Sequence, residues 1–356
     1  MTSYSDKCKI KFLNIKGEDI PDEVYFRQRP GYLSNSGIGL INPYQDFGKE
    51  YGPGSPQLYK NRPKFKSGSL ALGSAVHEVL LQPDEFILSD YEGKPSGKLG
   101  DFVDKVLENR KKGMKIQEAL LQASADADYY AGKFSEGIRK KAIREGLDYY
   151  LRSVRGEFMH PTKEVIVLPK KMLQTAKNCI AAYRRHPSIS YILRDNDFEP
   201  KQLLNEIALY TDMEVTLPDG TMVPLKFKGK LDSVVIDPEQ KIIYLNDLKT
   251  TSMPSDRFMG KLIEGEWYNG AFEHHCYYRQ LYIYGMMLQK YCYEVLGLTG
   301  YTMKCNIFCM ETTGENRAEC FPISQGYINA GRDEFKELIC RIAYHETYGY
   351  DHDYPE

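Results

Sequence analysis

Apolar positions recur along this chain with two different periods. In "SLALGSAVHEVLLQPDEF" the residues Leu72, Ala75, Val76, Val79 and Leu80 repeat at steps of three and four. That spacing predicts a helix, which Pro83 helps to end, with His77 beside its apolar stripe. A charged helical pattern follows over about 100–151, and "PKKMLQTAKNCIAAYRRHPSISYIL" predicts one more amphipathic helix. The period then shortens. "NEIALYTDMEVTLPDG" and "TMVPLKFKGKLDSVVID" read as strands joined by a Pro-Asp-Gly turn, and 242–248 is a third strand rich in β-branched and aromatic residues. A glycine-containing loop leads to Gly270, "FEHHCYYRQLYIYGMMLQKYCYEVLG" predicts a long helix, "YTMKCNIFCME" a strand, and about 324–344 a last helix before an acidic, Tyr-rich tail. Residues 1–66, rich in Gly, Pro, Ser, Asn and Tyr, are expected to wrap a single larger domain over 67–356. The order predicts an α/β fold: a mixed sheet flanked by helices, antiparallel at its active edge, with a helical insert over about 100–185.

Within the strands, "KGKLDSVVIDPEQKIIYLNDLKTT" places two carboxylates and a lysine among apolar residues. Closing a hairpin on Pro238-Glu239 sets Asp237 opposite Gln240 and Asp232 opposite Leu245. Side chains alternate along a strand, so Asp232, Asp247 and Lys249 share a face. The two aspartates become diagonal neighbours roughly 7–8 Å apart at the backbone. An exposed edge with solvated charges is the plain alternative. Like charges among apolar strands more often pair or hold a metal, and carboxylates with water and phosphate suit magnesium. Lys249 would then orient or deprotonate an attacking water, or stabilise developing negative charge. The pattern points to metal-assisted phosphodiester hydrolysis.

Composition changes this picture little. Of 356 residues, 42% are hydrophobic and 27% charged, as in an ordinary globular protein with a sizeable core. Eight scattered cysteines and no hydrophobic leader favour a reducing cytoplasm, and no stretch reaches the length of a membrane span. Charge changes it more. The net charge is −2, but residues 105–185 carry 18 Lys/Arg against 9 Asp/Glu, with runs such as "NRKKGMK" and "IRKKAIR". Each run alone reads as a solvated helical face, and the regional excess suits a phosphate backbone.

Other candidates fall away. "GKPSGKLG" is one residue short of a phosphate loop and carries Leu99 where a hydroxyl should meet magnesium. His274 and His275 diverge on a helix and lack zinc-finger partners, and Cys305, Cys309 and Cys320 lack the four tight thiolates of an iron–sulfur cluster.

Taken together, these motifs resemble the PD-(D/E)XK nuclease superfamily, and within it the phage-type exonucleases similar to exodeoxyribonuclease VIII (the RecE-like group). The resemblance runs from about Gly31 onward. It is carried by "GYLSNSGIGLINPYQDFGKEY", the Gly-x-x-x-His helix ending at His77, "AAYRRHPSISYIL", Glu206 in "NEIALY", Asp232 in "GKLD", Asp247 and Lys249 in "DLKTT", and Gln280 and Tyr284 in "YYRQLYIY". It implies a restriction-endonuclease-like core in which His77, Asp232 and Asp247 hold Mg²⁺ or Mn²⁺ and Lys249 is the catalytic lysine. Glu206 and Gln280 would assist, Gln280 by positioning the lysine or the scissile strand, and Tyr284 would contact substrate. Lys249 would also take the water's proton if the site depresses its pKa. Arg27, Arg29, Ser34, Ser36 and the basic insert would hold backbone phosphates or a 5′ end of linear duplex DNA. The resemblance further implies a homo-oligomeric ring without membrane attachment, which hands single strands to an annealing protein in recombination, inside a bacterial host if phage-encoded. Two alternatives stay open: a single-strand or structure-specific endonuclease of the same fold, and an inactive DNA-end-binding protein.

Overall fold

The computed structural model describes residues 3–18, 25, 31–61, 70–91, 95–133, 135–141, 164–194 and 200–355. They form two compact units, one of residues 1–67 with 181–356 and one of 68–180. In chain order the first unit opens with α1 (Tyr4–Lys7), β1 (Lys9–Glu18), β2 (Tyr32–Leu33), α2 (Asn35–Gly39) and α3 (Pro56–Asn61). The second unit holds α4 (Leu70–Leu81), β3 (Phe86–Tyr91), α5 (Gly97–Lys111), α6 (Ile116–Asp126) and β4 (Glu164–Pro169). Helix α7 (Lys170–Arg185) crosses the boundary. The first unit then resumes with α8 (Pro187–Leu193), β5 (Gln202–Thr216), β6 (Met222–Asp237), β7 (Ile242–Thr251), β8 (Lys261–Ile263), β9 (Glu266–Tyr268), α9 (Ala271–His274), α10 (Tyr277–Glu294), β10 (Thr302–Glu311), β11 (Ala318–Pro322) and α11 (Gln325–Tyr348).

The second unit is small. Its strands β3 and β4 pair in parallel, and α5 packs on α6 through Phe102, Val103, Val106, Leu120 and Ala123, all buried. His77 lies on α4, half-buried.

The first unit is built on a mixed, mostly antiparallel seven-stranded sheet in the order β1-β5-β6-β7-β10-β11, with β2 added beside β6. Only β7 with β10 and β2 with β6 run parallel. Helices α10 and α11 supply apolar stripes (Leu281, Met287, Leu338, Ile342) that meet Leu209, Leu245 and their neighbours in one core. Phe308 does not belong to that core, although Ile307 and Cys309 on either side of it do; its ring lies 5.7 Å from Tyr183 of α7. The α/β class and the mixed, helix-flanked sheet are therefore as expected.

Several details are not. The site strands are central, because β10 extends the sheet beyond β7; they form no edge. Within 1–66, β1 pairs along β5 from Lys9↔Thr216 to Glu18↔Ala208, so this part of the segment is a sheet edge and does not merely wrap the domain. The helix expected over 170–193 breaks at His186, whose ring caps the next helix at Ile189 N–H while Pro187 opens it. The helix expected from Phe272 onward breaks at Cys276, which adopts φ 52° between α9 and α10.

The β6–β7 register is offset by two residues from the expected one. Asp237 pairs with Ile242, and Val234 with Leu245. A four-residue connection makes the difference: the Asp237 carboxylate accepts Gln240 N–H at 2.9 Å, and Lys241 takes a left-handed φ of 52°. An even offset leaves the expected face-sharing intact. The pairing ends at Ser233↔Asn246, whereas β7 stays paired with β10 out to Thr251. Further along, β2 pairs with β6 at Lys226 and Phe227. The sheet thus forks between β6 and β7, and the fork opens beside Asp232 and Asp247.

Candidate metal centre

Three adjacent strands each bring one acid to this fork. Glu206 lies on β5, Asp232 on β6 and Asp247 on β7, with Lys249 two residues further along β7. The β5–β6 ladder pairs Asn205 with Ser233 and Ile207 with Leu231, and the position missing between them is Glu206 opposite Asp232. Glu206 has φ 55°, an uncommon left-handed conformation for a residue with a side chain, and such strain collects at functional sites. Oxygens of Glu206 and Asp232 lie within 4.8 Å of each other. Lys230 holds Glu206 Oε2 at 2.8 Å, and both side chains are mostly buried.

Asp232 and Asp247 are fixed by unlike means. Asp232 Oδ2 accepts the backbone N–H of Leu248 at 2.7 Å, so a side chain bridges the strands just where their ladder has ended. Asp247 is 1% exposed. Its Oδ1 accepts Gln280 Nε2 from α10 at 2.9 Å, and its Oδ2 lies 2.5 Å from Lys249 Nζ. Lys249 also donates to the Leu248 carbonyl at 3.2 Å, and its ammonium sits 4.9 Å from the centre of the Tyr277 ring.

Burial opposes the charge on Lys249, but the Asp247 carboxylate, and after it Asp232, outweigh burial and hold its pKa above the ordinary lysine value. These neighbours favour the charged lysine, so the condition for proton uptake by Lys249, a depressed pKa, is not met by this arrangement. Tyr284 stands near the same acids. Burial, then Tyr25, Asp247 and Asp232, push its phenol well above its ordinary range, while a hydrogen bond with Gln280 opposes them. Its ring lies over Gly229, where a Cβ would stand 2.6 Å from ring carbon Cε1, so only glycine leaves it room.

The donor set suits a hard divalent cation. Glu206 and Asp232, whose oxygens lie together, present only carboxylate oxygens, the ligands Mg²⁺ and Mn²⁺ take, with no thiolate between them. Burying these acids needs compensating positive charge, which Lys230 supplies to Glu206 and Lys249 to Asp247.

The sequence-derived residues divide clearly. Glu206, Asp232, Asp247, Lys249, Gln280 and Tyr284 come together in the first unit, and His77 belongs to the second. Ser34 caps α2 by accepting Gly37 N–H at 3.2 Å, and its hydroxyl lies 3.2 Å from that of Ser36. Arg27 and Arg29 lie outside the described residues. All eight cysteines are free thiols, and the His274 and His275 rings pack against each other.

Sequence reasoning overlooked three residues. Lys230, inside the quoted "GKLD", is the partner of Glu206. Tyr277 underlies the lysine. Arg279, next to Gln280, is 1% exposed. It donates to Asn35 Oδ1 at 2.9 Å and pairs with Glu334 at 2.7 Å, joining the 35–45 segment to α10 and α11. An arginine within a run otherwise rich in aromatic and apolar residues was the available signal for that role.

Among solved structures, the chain is similar to a protein from Eubacterium rectale provisionally named an exonuclease, with 15% identity over 93% of this chain and 88% of that one and a TM-score of 0.47. No family model and no curated protein matches it.

Proposed function

We propose that this chain is a divalent-metal-dependent deoxyribonuclease, an exonuclease that hydrolyses phosphodiester bonds from the ends of linear duplex DNA in the 5′-to-3′ direction. One observation carries the reading: three neighbouring strands each place an acid beside a fork in the sheet, where a mostly buried lysine pairs with one of them. A phosphate diester is an anion whose hydrolysis builds further negative charge, and such a site is complementary to that change.

In this reading Asp232 and Asp247 hold Mg²⁺ or Mn²⁺, with Glu206 beside them and His77 added by its sequence motif. When bound, the ion supplies Lewis-acid chemistry, lowering the pKa of a water and offsetting phosphoryl charge. The remaining work belongs to side chains. Lys249, protonated, faces the charge that develops on the phosphoryl oxygens. Gln280 keeps Asp247 in one orientation, and the Leu248 amide does the same for Asp232. The basic 105–185 stretch, Arg29, Ser34 and Ser36 are assigned to backbone phosphates, and Tyr284 to the substrate strand. A ring of identical subunits delivering single strands to an annealing protein completes the proposal.

The test is degradation of 5′-labelled linear duplex DNA against covalently closed circles, with Mg²⁺, Mn²⁺ or chelator, and with Lys249→Ala in parallel. The expected result is loss of linear DNA only, metal-dependent, and slowed about 10²–10³-fold by the substitution. Cutting of the circle would replace the exonuclease with an endonuclease. Tight DNA binding without any cutting would leave a non-enzymatic end-binder.

A further inference from the structure

Three acids and two lysines stand beside the fork: Glu206, Asp232 and Asp247 with Lys230 and Lys249. Their charges nearly balance, so a divalent cation meets cations already in residence. Lys249 is committed to Asp247, which is 1% exposed, and to the Tyr277 ring. Lys230 stands elsewhere. Its Nζ lies 2.8 Å from Glu206 Oε2, and a Glu206 oxygen lies within 4.8 Å of one on Asp232. The two side chains of this pair are only 9% and 14% exposed, so little water screens them.

Strand geometry explains why this lysine meets that acid. Gly229 before it packs against the Tyr284 ring of α10, and Leu231 after it is buried in the core. Alternation turns Lys230 to the other face, as it does Lys226 and Lys228. Those two meet tyrosines: the Lys226 ammonium lies 5.7 Å from the Tyr32 ring, and that of Lys228 4.3 Å from the Tyr25 ring, donating also to the Tyr25 carbonyl at 2.7 Å. Lys230 pairs with Ala208 in the β5–β6 ladder, which makes Glu206 its diagonal neighbour. Glu206 keeps its left-handed φ of 55° only while its surroundings hold it, and the lysine is one such hold. An ammonium and a divalent cation are alternative answers to the same buried carboxylate. Together at this distance they repel.

We propose that Lys230 is a resident counter-ion for Glu206, competing with the divalent cation for the same carboxylate and so setting how tightly the site takes the metal. The inference rests on the proposed nuclease reading, in particular on its metal-binding acids. It gives the two lysines different tasks: Lys249 stays with Asp247 beside the reacting phosphate, and Lys230 is a positioning residue that yields Glu206 when the metal binds.

The test needs no substrate. Mn²⁺ alone is titrated calorimetrically into the full chain and into Lys230→Met and Lys230→Arg, and each is melted in chelator and in saturating Mn²⁺. In chelator Lys230→Met should melt below the wild type, because Glu206 and Asp232 then face each other without the lysine. Saturating Mn²⁺ should recover most of that loss, and the variant should bind Mn²⁺ about tenfold more tightly than the wild type. Lys230→Arg, which keeps the charge, should bind nearly as the wild type does. If Lys230→Met does not fold even with Mn²⁺, Lys230→Gln keeps a polar head and carries the same expectation. A lysine with a merely structural role would lower the melting temperature equally with and without metal. If the wild type degrades linear duplex while the folded variant binds Mn²⁺ no more tightly, the inference fails and the nuclease reading stands. If the wild type neither binds Mn²⁺ nor cleaves, the nuclease reading fails and this inference with it.

Discussion

Gln280 and Arg279 are neighbours on α10 with different duties. Gln280 reaches Asp247 and no metal donor of its own is invoked, so its loss should loosen a ligand. Gln280→Ala is expected to lower cleavage or metal affinity by about 10–100-fold while leaving thermal stability almost unchanged, as read from rates over a Mg²⁺ titration. Arg279 points into the interior, where Glu334, Asn35 and Gln45 surround its guanidinium. Arg279→Met strands those partners, and chemical denaturation should show a loss of about 3 kcal/mol. The acids Asp232 and Asp247 and Lys249 were legible because charged residues interrupt apolar strands. Lys230 was not, because "KFKGK" reads equally well as a solvated face until the strand partner that brings Glu206 to it is known. The state of Lys249 was not legible either, since it depends on which carboxylate lies nearest in space.

Among the elements, the long periodic ones could be read from the sequence, and their interruptions could not. The strands β5, β6, β7 and β10 and the helices α4, α10 and α11 stand close to where apolar spacing puts them. The breaks at His186 and Cys276, and the four-residue turn after Asp237, come from single backbone conformations that the period does not encode. The hairpin β8–β9 was read as a loop because strands of three residues carry too little alternation to register. Strand β1 was hidden in a stretch rich in turn-forming residues, although "KIKFLNIK" alternates. Gly229 shows how closely elements meet. Gly229→Ala drives a methyl into the Tyr284 ring between β6 and α10, and should cost about 1–3 kcal/mol by denaturant titration.

For the whole molecule, the sheet and its two helices act as one stability unit, and α11 closes it. His345 on α11 is 1% exposed and lies 3.2 Å from the Gly349 carbonyl. Burial, chiefly, holds its pKa below the ordinary 6.5, with Arg341 and His352 adding to the shift and the Gly349 hydrogen bond opposing it. The unfolded chain therefore takes up this proton first as pH falls. Stability should decline as the pH drops below about 6.5, and His345→Gln should flatten that decline in melts over a pH series. No helix among the described residues is long and apolar enough to cross a membrane. The basic stretch of 105–185 was legible as a regional excess of charge. The fork was not, because it depends on β2 and β10 taking pairing partners far away in sequence.

The fork also leaves one amide in an unusual position. Leu248 N–H is held by the Asp232 carboxylate, so its hydrogen exchanges with solvent only when that side chain lets go. Its exchange rate is then a clock for the motion of a proposed ligand, readable without substrate or turnover. A cation that immobilises Asp232 should slow this one amide more than its ladder-bonded neighbours, tying the chemistry of the site to a single backbone proton.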